Sequence, residues 1–168
     1  MAKKVADQLV DTLEKAGVRR IYAVTGDSLN EVNEAVRKNG RLRWIHVRHE
    51  ETGAYAAAAE AQLTGELACC AGSSGPGHVH LINGLYDAQR SGAPVLAIAS
   101  TIPSREFGTE YFQETNTIKL FDDCSYYNQV ATTPEQFPRM LQGAMQAAIS
   151  SRCLLYTSPS PRDPKTSR

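Results

Sequence analysis

Val47-Arg48-His49-Glu50-Glu51-Thr52-Gly53-Ala54-Tyr55-Ala56-Ala57-Ala58-Ala59-Glu60-Ala61 decides how the chain is read. Leu42 to Val47, just before the acids, alternates around Trp44, Ile45 and Val47 and predicts a short strand. The run from Glu50 to Leu63 is dominated by small residues that favour helix and permit close approach to a sheet. The stretch is therefore a strand-to-helix junction with two acids in the first helical turn. The helix dipole stabilises a carboxylate there, whereas a ligand or partner that covered Glu50 would raise its proton affinity. An ordinary first-turn acid and a site acid both fit that position. Glu51 leaves the helix about 100° away from Glu50 by helical geometry, which predicts a packing or ion-pairing role for it.

The same alternation continues on both sides of this junction. Val5, Leu9, Leu13 and Ala16 recur at helical spacing and Gly17 follows. Ile21 to Val24 predicts a strand ending in Thr25-Gly26-Asp27-Ser28, and Leu29, Val32 and Val36 mark the next helix up to Gly40. Leu67 to Ala71 is a continuous apolar run, as expected of a strand buried on both faces. It runs into Gly72-Ser73-Ser74-Gly75-Pro76-Gly77, after which Val79, Leu81, Ile82 and Leu85 carry a helical stripe. Pro94 to Ala99 and Tyr126 to Val130 read as further strands, Ile118 to Phe121 as a short helix, and Pro134 as the opening of a last helix through Phe137, Leu141, Met145 and Ile149. This order predicts an α/β fold: a doubly wound, mostly parallel sheet with helices on both faces and its site at the strands' carboxyl ends.

Composition narrows the function. The 168 residues suit one domain with a real core, and 18 basic against 18 acidic residues leave no net charge to attract nucleic acid, so no nucleic-acid partner is expected. The four cysteines, two of them adjacent as Cys69-Cys70, lack the spacings of a zinc site or a disulfide framework and read as reduced thiols of a cytoplasmic protein. No apolar run approaches the roughly 18 residues of a membrane span. The glycine loop has the order Gly-x-x-Gly-x-Gly, which is neither the dinucleotide nor the P-loop order, so it is either a ligand-facing loop or a tight turn. His78 and His80 would point nearly opposite ways on a helix and make a poor metal pair. No metal ligands are assigned. Tyr111 and Phe112 look exposed, and either serve a site or cover the sheet edge.

Four pieces carry a resemblance: Val24-Thr25-Gly26-Asp27-Ser28-Leu29-Asn30, Arg48-His49-Glu50-Glu51, Gly75-Pro76-Gly77 with His80 to Leu85, and Tyr111-Phe112-Gln113-Glu114-Thr115. In this order, from about Val5 to Ser151, the chain resembles the N-terminal, pyrimidine-binding domain of thiamine-diphosphate enzymes. Within that family it is most similar to the bacterial pyruvate dehydrogenases (quinone), or pyruvate oxidases; acetolactate synthases resemble the same framework.

The resemblance implies roles. Glu50 would be catalytic, sharing a proton with ring nitrogen N1′ of the aminopyrimidine of a cofactor that acts as an electron sink. Gly75, Pro76 and Gly77 would lie against the pyrimidine, Thr25 and Gly26 would edge the cleft, and His80 would approach the reacting centre. Phe112 and Gln113 would line the substrate pocket that leads toward a flavin. Pyruvate would be the substrate, a quinone the electron acceptor, and Mg²⁺ and FAD would be held by further domains. The complete enzyme would be a dimer-based homo-oligomer, a tetramer, cytoplasmic and open to peripheral association with the inner membrane.

The departures from the family are informative. The Gly-Asp-Gly motif that holds Mg²⁺ in the family is absent, since Gly26-Asp27-Ser28 lacks the second glycine and belongs to another motif. The family's site lies between the pyrimidine domain of one subunit and the diphosphate domain of another, so this chain alone is expected to be inactive. Residues 1–152 are read as the pyrimidine-binding domain. Residues 153–168 carry three of the eight prolines in their last ten positions, and are read as a non-native or disordered tail resembling translated adapter sequence. The reading of a different class is a freestanding, non-catalytic α/β module that binds a partner.

Overall fold

The computed structural model describes residues 4–154. The elements are α1 (Val5–Lys15), β1 (Arg20–Ala23), a 3-10 turn (Asp27–Leu29), α2 (Asn30–Asn39), β2 (Arg43–His46), α3 (Glu50–Thr64), β3 (Ala68–Gly72), α4 (Pro76–Val79), α5 (Ile82–Arg90), β4 (Val95–Ala99), a second 3-10 turn (Ser104–Glu106), α6 (Thr117–Leu120) and α7 (Phe137–Leu154). The four strands form one sheet in the order β2-β1-β3-β4, and every pairing is parallel. A parallel sheet must bury both faces, because each crossover lays a helix on one of them.

Side chains alternate along the central strand β3 to serve the two faces. Cys69 and Ala71 join Leu9, Val10 and Leu13 of α1, Ala35 and Val36 of α2, and Leu141 of α7 in one core. Ala68 and Cys70 point the other way, into a second core with Ala54, Ala57 and Ala61 of α3, Leu81, Leu85, Phe121 and Cys124. The expected α/β architecture with helices on both faces is thus present. The small residues of α3 have a specific use: a Cβ on Gly84 of α5 would lie 2.5 Å from Ala54 Cβ and 2.6 Å from Tyr55 N, so the two helices meet backbone to backbone.

Two expectations need correction. Tyr126 to Val130 is not a strand; among the described residues β4 pairs only with β3. A cavity of about 410 Å³ lies between β4, residues 124–131 and α7. Asn128 instead donates through Nδ2 to the Thr117 and Ile118 carbonyls, and the Tyr127 ring packs on Gly143 of α7. The last helix opens at Phe137, not Pro134. Pro138 lies in its first turn, where a missing N–H costs nothing, and Gln136 Oε1 accepts from Thr132 N at 3.2 Å in the turn before it. α7 continues past the predicted boundary at residue 152 to Leu154, and the rest of the predicted tail lies outside the described residues. Among the described residues no helix is long and apolar enough to cross a membrane.

Candidate functional site

From β1 the chain passes through α2 to β2 on one side, and from β3 it passes through α4 and α5 to β4 on the other. The carboxyl ends of β1 and β3 therefore diverge at a topological switch point, where open parallel sheets have their ligand crevice. The loops at those ends are stitched together. Ser28 Oγ lies 2.8 Å from Ser73 Oγ and accepts from Ser74 N at 3.0 Å, while Ser100 Oγ donates to the Ser28 carbonyl at 2.9 Å. Gly26 lies on Ser73 so closely that a Cβ there would stand 2.4 Å from Ser73 Oγ.

The glycine loop turns over this network. Gly75 has φ +69°, and a Cβ on it would lie 2.8 Å from Gln113 Cβ. Ser74 Oγ donates to Gln113 Oε1 at 3.0 Å, which brings the Tyr111 to Thr115 loop onto the glycine loop. Gln113 itself has φ +66°, a left-handed conformation that costs a non-glycine residue about 1–3 kcal/mol and is found where surrounding contacts over-determine it. Pro76 occupies the first turn of α4, where its fixed φ suits the helix start.

Glu50 enters the same crevice from the start of α3. It is only 9% exposed, and its Oε2 accepts from His80 Nδ1 at 3.0 Å. Its Oε1 looks across Gly77, where a Cβ would come within 3.2 Å of it. Glycine at 77 thus leaves the acid a face that any larger residue would narrow. His49 caps α3 through Nδ1, which accepts from Glu51 N at 3.3 Å, and its ring stacks on His80 with centroids 4.2 Å apart. Glu51 points elsewhere, half-buried, with its carboxylate 3.9 Å from His49 Nδ1.

His78 in α4 and His80 at its C-cap do part company, as their spacing predicts. His78 is buried: its Nδ1 lies 2.8 Å from the Ser100 carbonyl, which can only accept, so this nitrogen bears the hydrogen and Nε2 accepts from the Thr115 hydroxyl. Burial lowers its pKa, partly opposed by the Ser100 bond.

Of the residues singled out in the sequence, Gly26, Glu50, Gly75, Gly77, His80 and Gln113 are therefore drawn together at one end of the sheet. Thr25 stands exposed at the end of β1, Pro76 is exposed at the start of α4, and Phe112 projects with 80% of its surface free beside an open cavity of about 900 Å³ that Gln113 also lines. Sequence reading missed the serine network and the part played by His49. Serines in successive strand-to-helix loops were the available signal, but their pairing across 45 and 72 residues is a tertiary fact.

The doubly wound α/β domain thus has a buried carboxylate, Glu50, at the switch point where open parallel sheets have their ligand crevice. The chain belongs to the thiamine pyrophosphate enzymes: residues 3–120 match the N-terminal TPP binding domain of that family. It is 58% identical over 149 residues to an "Uncharacterized 42.6 kDa protein in isoamylase 3'region" of Pseudomonas amyloderamosa, covering 89% of this chain and 38% of that protein. It is 46% identical to the "Putative thiamine pyrophosphate-containing protein YdaP" of Bacillus subtilis, covering 90% of this chain and 27% of that one. A pyruvate oxidase of Lactiplantibacillus plantarum is 39% identical, over 84% of this chain and 24% of its own length. The chain thus spans about a quarter to two fifths of the curated relatives it matches.

The crevice suits the aminopyrimidine end of thiamine diphosphate. It offers one buried carboxylate to share a proton with a ring nitrogen, and a glycine-lined face against which a flat ring could lie.

Proposed function

We propose that this chain is the pyrimidine-binding portion of a thiamine-diphosphate- and FAD-dependent pyruvate dehydrogenase (quinone), or pyruvate oxidase, which decarboxylates pyruvate to acetate and passes the electrons to a quinone. The observation that carries the reading is the nine-tenths-buried Glu50 carboxylate, held by His80 and facing Gly77 at the switch point. When bound, thiamine diphosphate supplies the carbon nucleophile and electron sink that 2-keto acid decarboxylation requires.

This chain's own residues do the rest of the work at its end of the site. Glu50 holds or gives a proton at N1′ of the aminopyrimidine, and its burial keeps water from competing for that proton. His80 fixes the carboxylate's orientation through the 3.0 Å bond. Gly75, Pro76 and Gly77 provide the surface under the ring, Thr25 and Gly26 edge the cleft, and Phe112 and Gln113 line the side open to substrate. Mg²⁺ and FAD belong to further domains of the complete enzyme, a dimer-based homo-oligomer in which a second subunit closes the site. The cytoplasm, with peripheral membrane recruitment, is the location such an enzyme would have.

Arg48-His49-Glu50, Gly75-Pro76-Gly77 and Phe112-Gln113-Glu114 equally suit an acetolactate synthase. A full-length protein carrying this domain, supplied with pyruvate, thiamine diphosphate, Mg²⁺, FAD and a soluble quinone, separates the two. Acetate with stoichiometric reduction of a soluble quinone is expected. Acetolactate without net electron transfer would replace the reading by the synthase. No pyruvate consumption at all would favour a non-catalytic binding module.

A further inference from the structure

We propose that His78 is a positioning residue for the substrate side of the site: it fastens the loop of residues 111–115 to the segment that carries Gly75, Pro76 and Gly77. The proposal deepens the thiamine reading and rests on it. The His78 ring stands where three pieces of chain meet and is 1% exposed. Its Nδ1 donates to the Ser100 carbonyl just past β4 at 2.8 Å, and its Nε2 accepts from the Thr115 hydroxyl at 2.5 Å. Phe121, at the end of α6, packs edge-on against it with ring centroids 5.9 Å apart. Histidine suits this place because one rigid ring offers a donor and an acceptor at once. The Ser100 carbonyl takes the donor, which reserves Nε2 for Thr115, and burial favours the neutral ring that keeps it an acceptor.

The loop needs such a fastening. Glu110 and Gln113 have φ of 57° and 66°, a conformation that non-glycine residues hold only where surrounding contacts over-determine it. The bonds from Glu114 N to the Tyr111 carbonyl and from Gly108 N to Glu114 Oε1 close the loop on itself without attaching it to the sheet. Among the described residues, its side-chain hydrogen bonds to other elements are those of Gln113 with Ser74 and Thr115 with His78. Both anchors lie within residues 74–78, so the loop that carries Phe112 and Gln113 is held as one unit with the glycine face. A substrate that binds only to the seated loop has its apparent affinity scaled by the fraction of molecules in which the loop is seated. Loss of the tether should therefore raise KM, whereas Glu50, on α3, keeps its own contacts with His80 and Gly77.

T115V, which keeps the shape of the side chain but removes its hydroxyl, tests the tether in a full-length protein loaded with thiamine diphosphate, Mg²⁺ and FAD. KM for pyruvate should rise about fivefold or more, the scale on which a buried acceptor misses its partner, while kcat stays within about twofold. Deuterium exchange at C2 of the cofactor should keep the parent rate, and T115S, which restores the hydroxyl, should restore KM. H78N, whose shorter side chain still faces Ser100 but falls short of Thr115, should raise KM as T115V does and add nothing to it in the double variant. In the 168-residue chain, exchange of the Glu114 amide should quicken in T115V and not in T115S. An active parent whose KM is unmoved by T115V, or a loss of kcat and C2 exchange as large as the rise in KM, would overturn the positioning role. Unchanged Glu114 exchange in T115V would overturn the tether itself. A parent that consumes no pyruvate would instead remove the reading on which the proposal rests.

Discussion

Gly84 of α5 and Ala54 of α3 approach so closely that a Cβ on the glycine would stand 2.5 Å from the alanine Cβ. Two effects oppose each other in Gly84→Ala. Helix propensity favours alanine by about 1 kcal/mol, and overpacking costs about 1–3 kcal/mol. Overpacking wins, because the other atoms within reach are Tyr55 N and Ala54 C at 2.6 and 2.7 Å, backbone that cannot rotate aside. The melting temperature should fall by several degrees, and a thermal melt showing an unchanged or higher value would contradict this packing.

Cys69 and Cys70 are fully buried on opposite faces of β3. Burial pushes the Cys70 thiol up to about 12 from 9.0 and raises Cys69 well above its usual range. Both should resist a thiol reagent at pH 8 and react only on unfolding. The linkage has a definite sign. A thiol whose folded pKa is raised stabilises the fold fully below its unfolded value, and that contribution is lost as pH climbs from about 9 toward 12. Denaturant midpoints should therefore fall across that window, and less steeply in Cys70→Ala than in the parent.

Ser28 accepts from the Ser74 N–H and binds the Ser73 hydroxyl, so it holds the β1 and β3 loops together. Ser28→Ala strands a part-buried N–H, a cost of about 1–3 kcal/mol. Hydrogen exchange at Ser74 should accelerate about tenfold or more with little change in β3. Unchanged exchange there would mean that the loops are positioned by Gln113 and Gly26 instead.

Local composition made β1, α3 and β3 legible: a short apolar run in Ile21 to Val24, a small-residue run that favours helix in Ala54 to Ala61, and in Leu67 to Ala71 a continuous apolar run that the structure buries on both faces. Glu50 was placed in the first turn of α3 by local pattern, but an ordinary first-turn acid fitted that place equally well; only its resemblance-bearing neighbours Arg48 and His49 singled it out, and the turn itself is not uniformly buried, since Thr52 beside it is exposed. Tyr126 to Val130 misled because aromatic and β-branched residues measure suitability for a strand, whereas a strand exists only where a neighbour offers ladder hydrogen bonds, and here Asn128 bonds the Thr117 and Ile118 carbonyls instead. The His78 bonds to Ser100 and Thr115, and the stacking of His49 on His80, join residues 22 to 37 positions apart, so no local pattern could announce them.

The chemical contrast between adjacent acids follows from their surroundings. Glu51 is half-buried beside His49 and faces no glycine-lined surface, so Glu51→Gln should cost less than about threefold in turnover, well short of what losing a general acid–base group costs. Equal losses at positions 50 and 51 in a steady-state assay would show that the two carboxylates act as a pair.

Deuterium exchange at C2 of bound thiamine diphosphate, followed by NMR in a full-length protein that carries this domain, tests the role of Glu50 most directly. Glutamine keeps the shape of the side chain and its contact with His80 but cannot cycle a proton. Glu50→Gln should slow exchange by about 10²–10⁴-fold while leaving the melting temperature nearly unchanged. Exchange at the parent rate in a folded, cofactor-loaded Glu50→Gln protein would contradict the account.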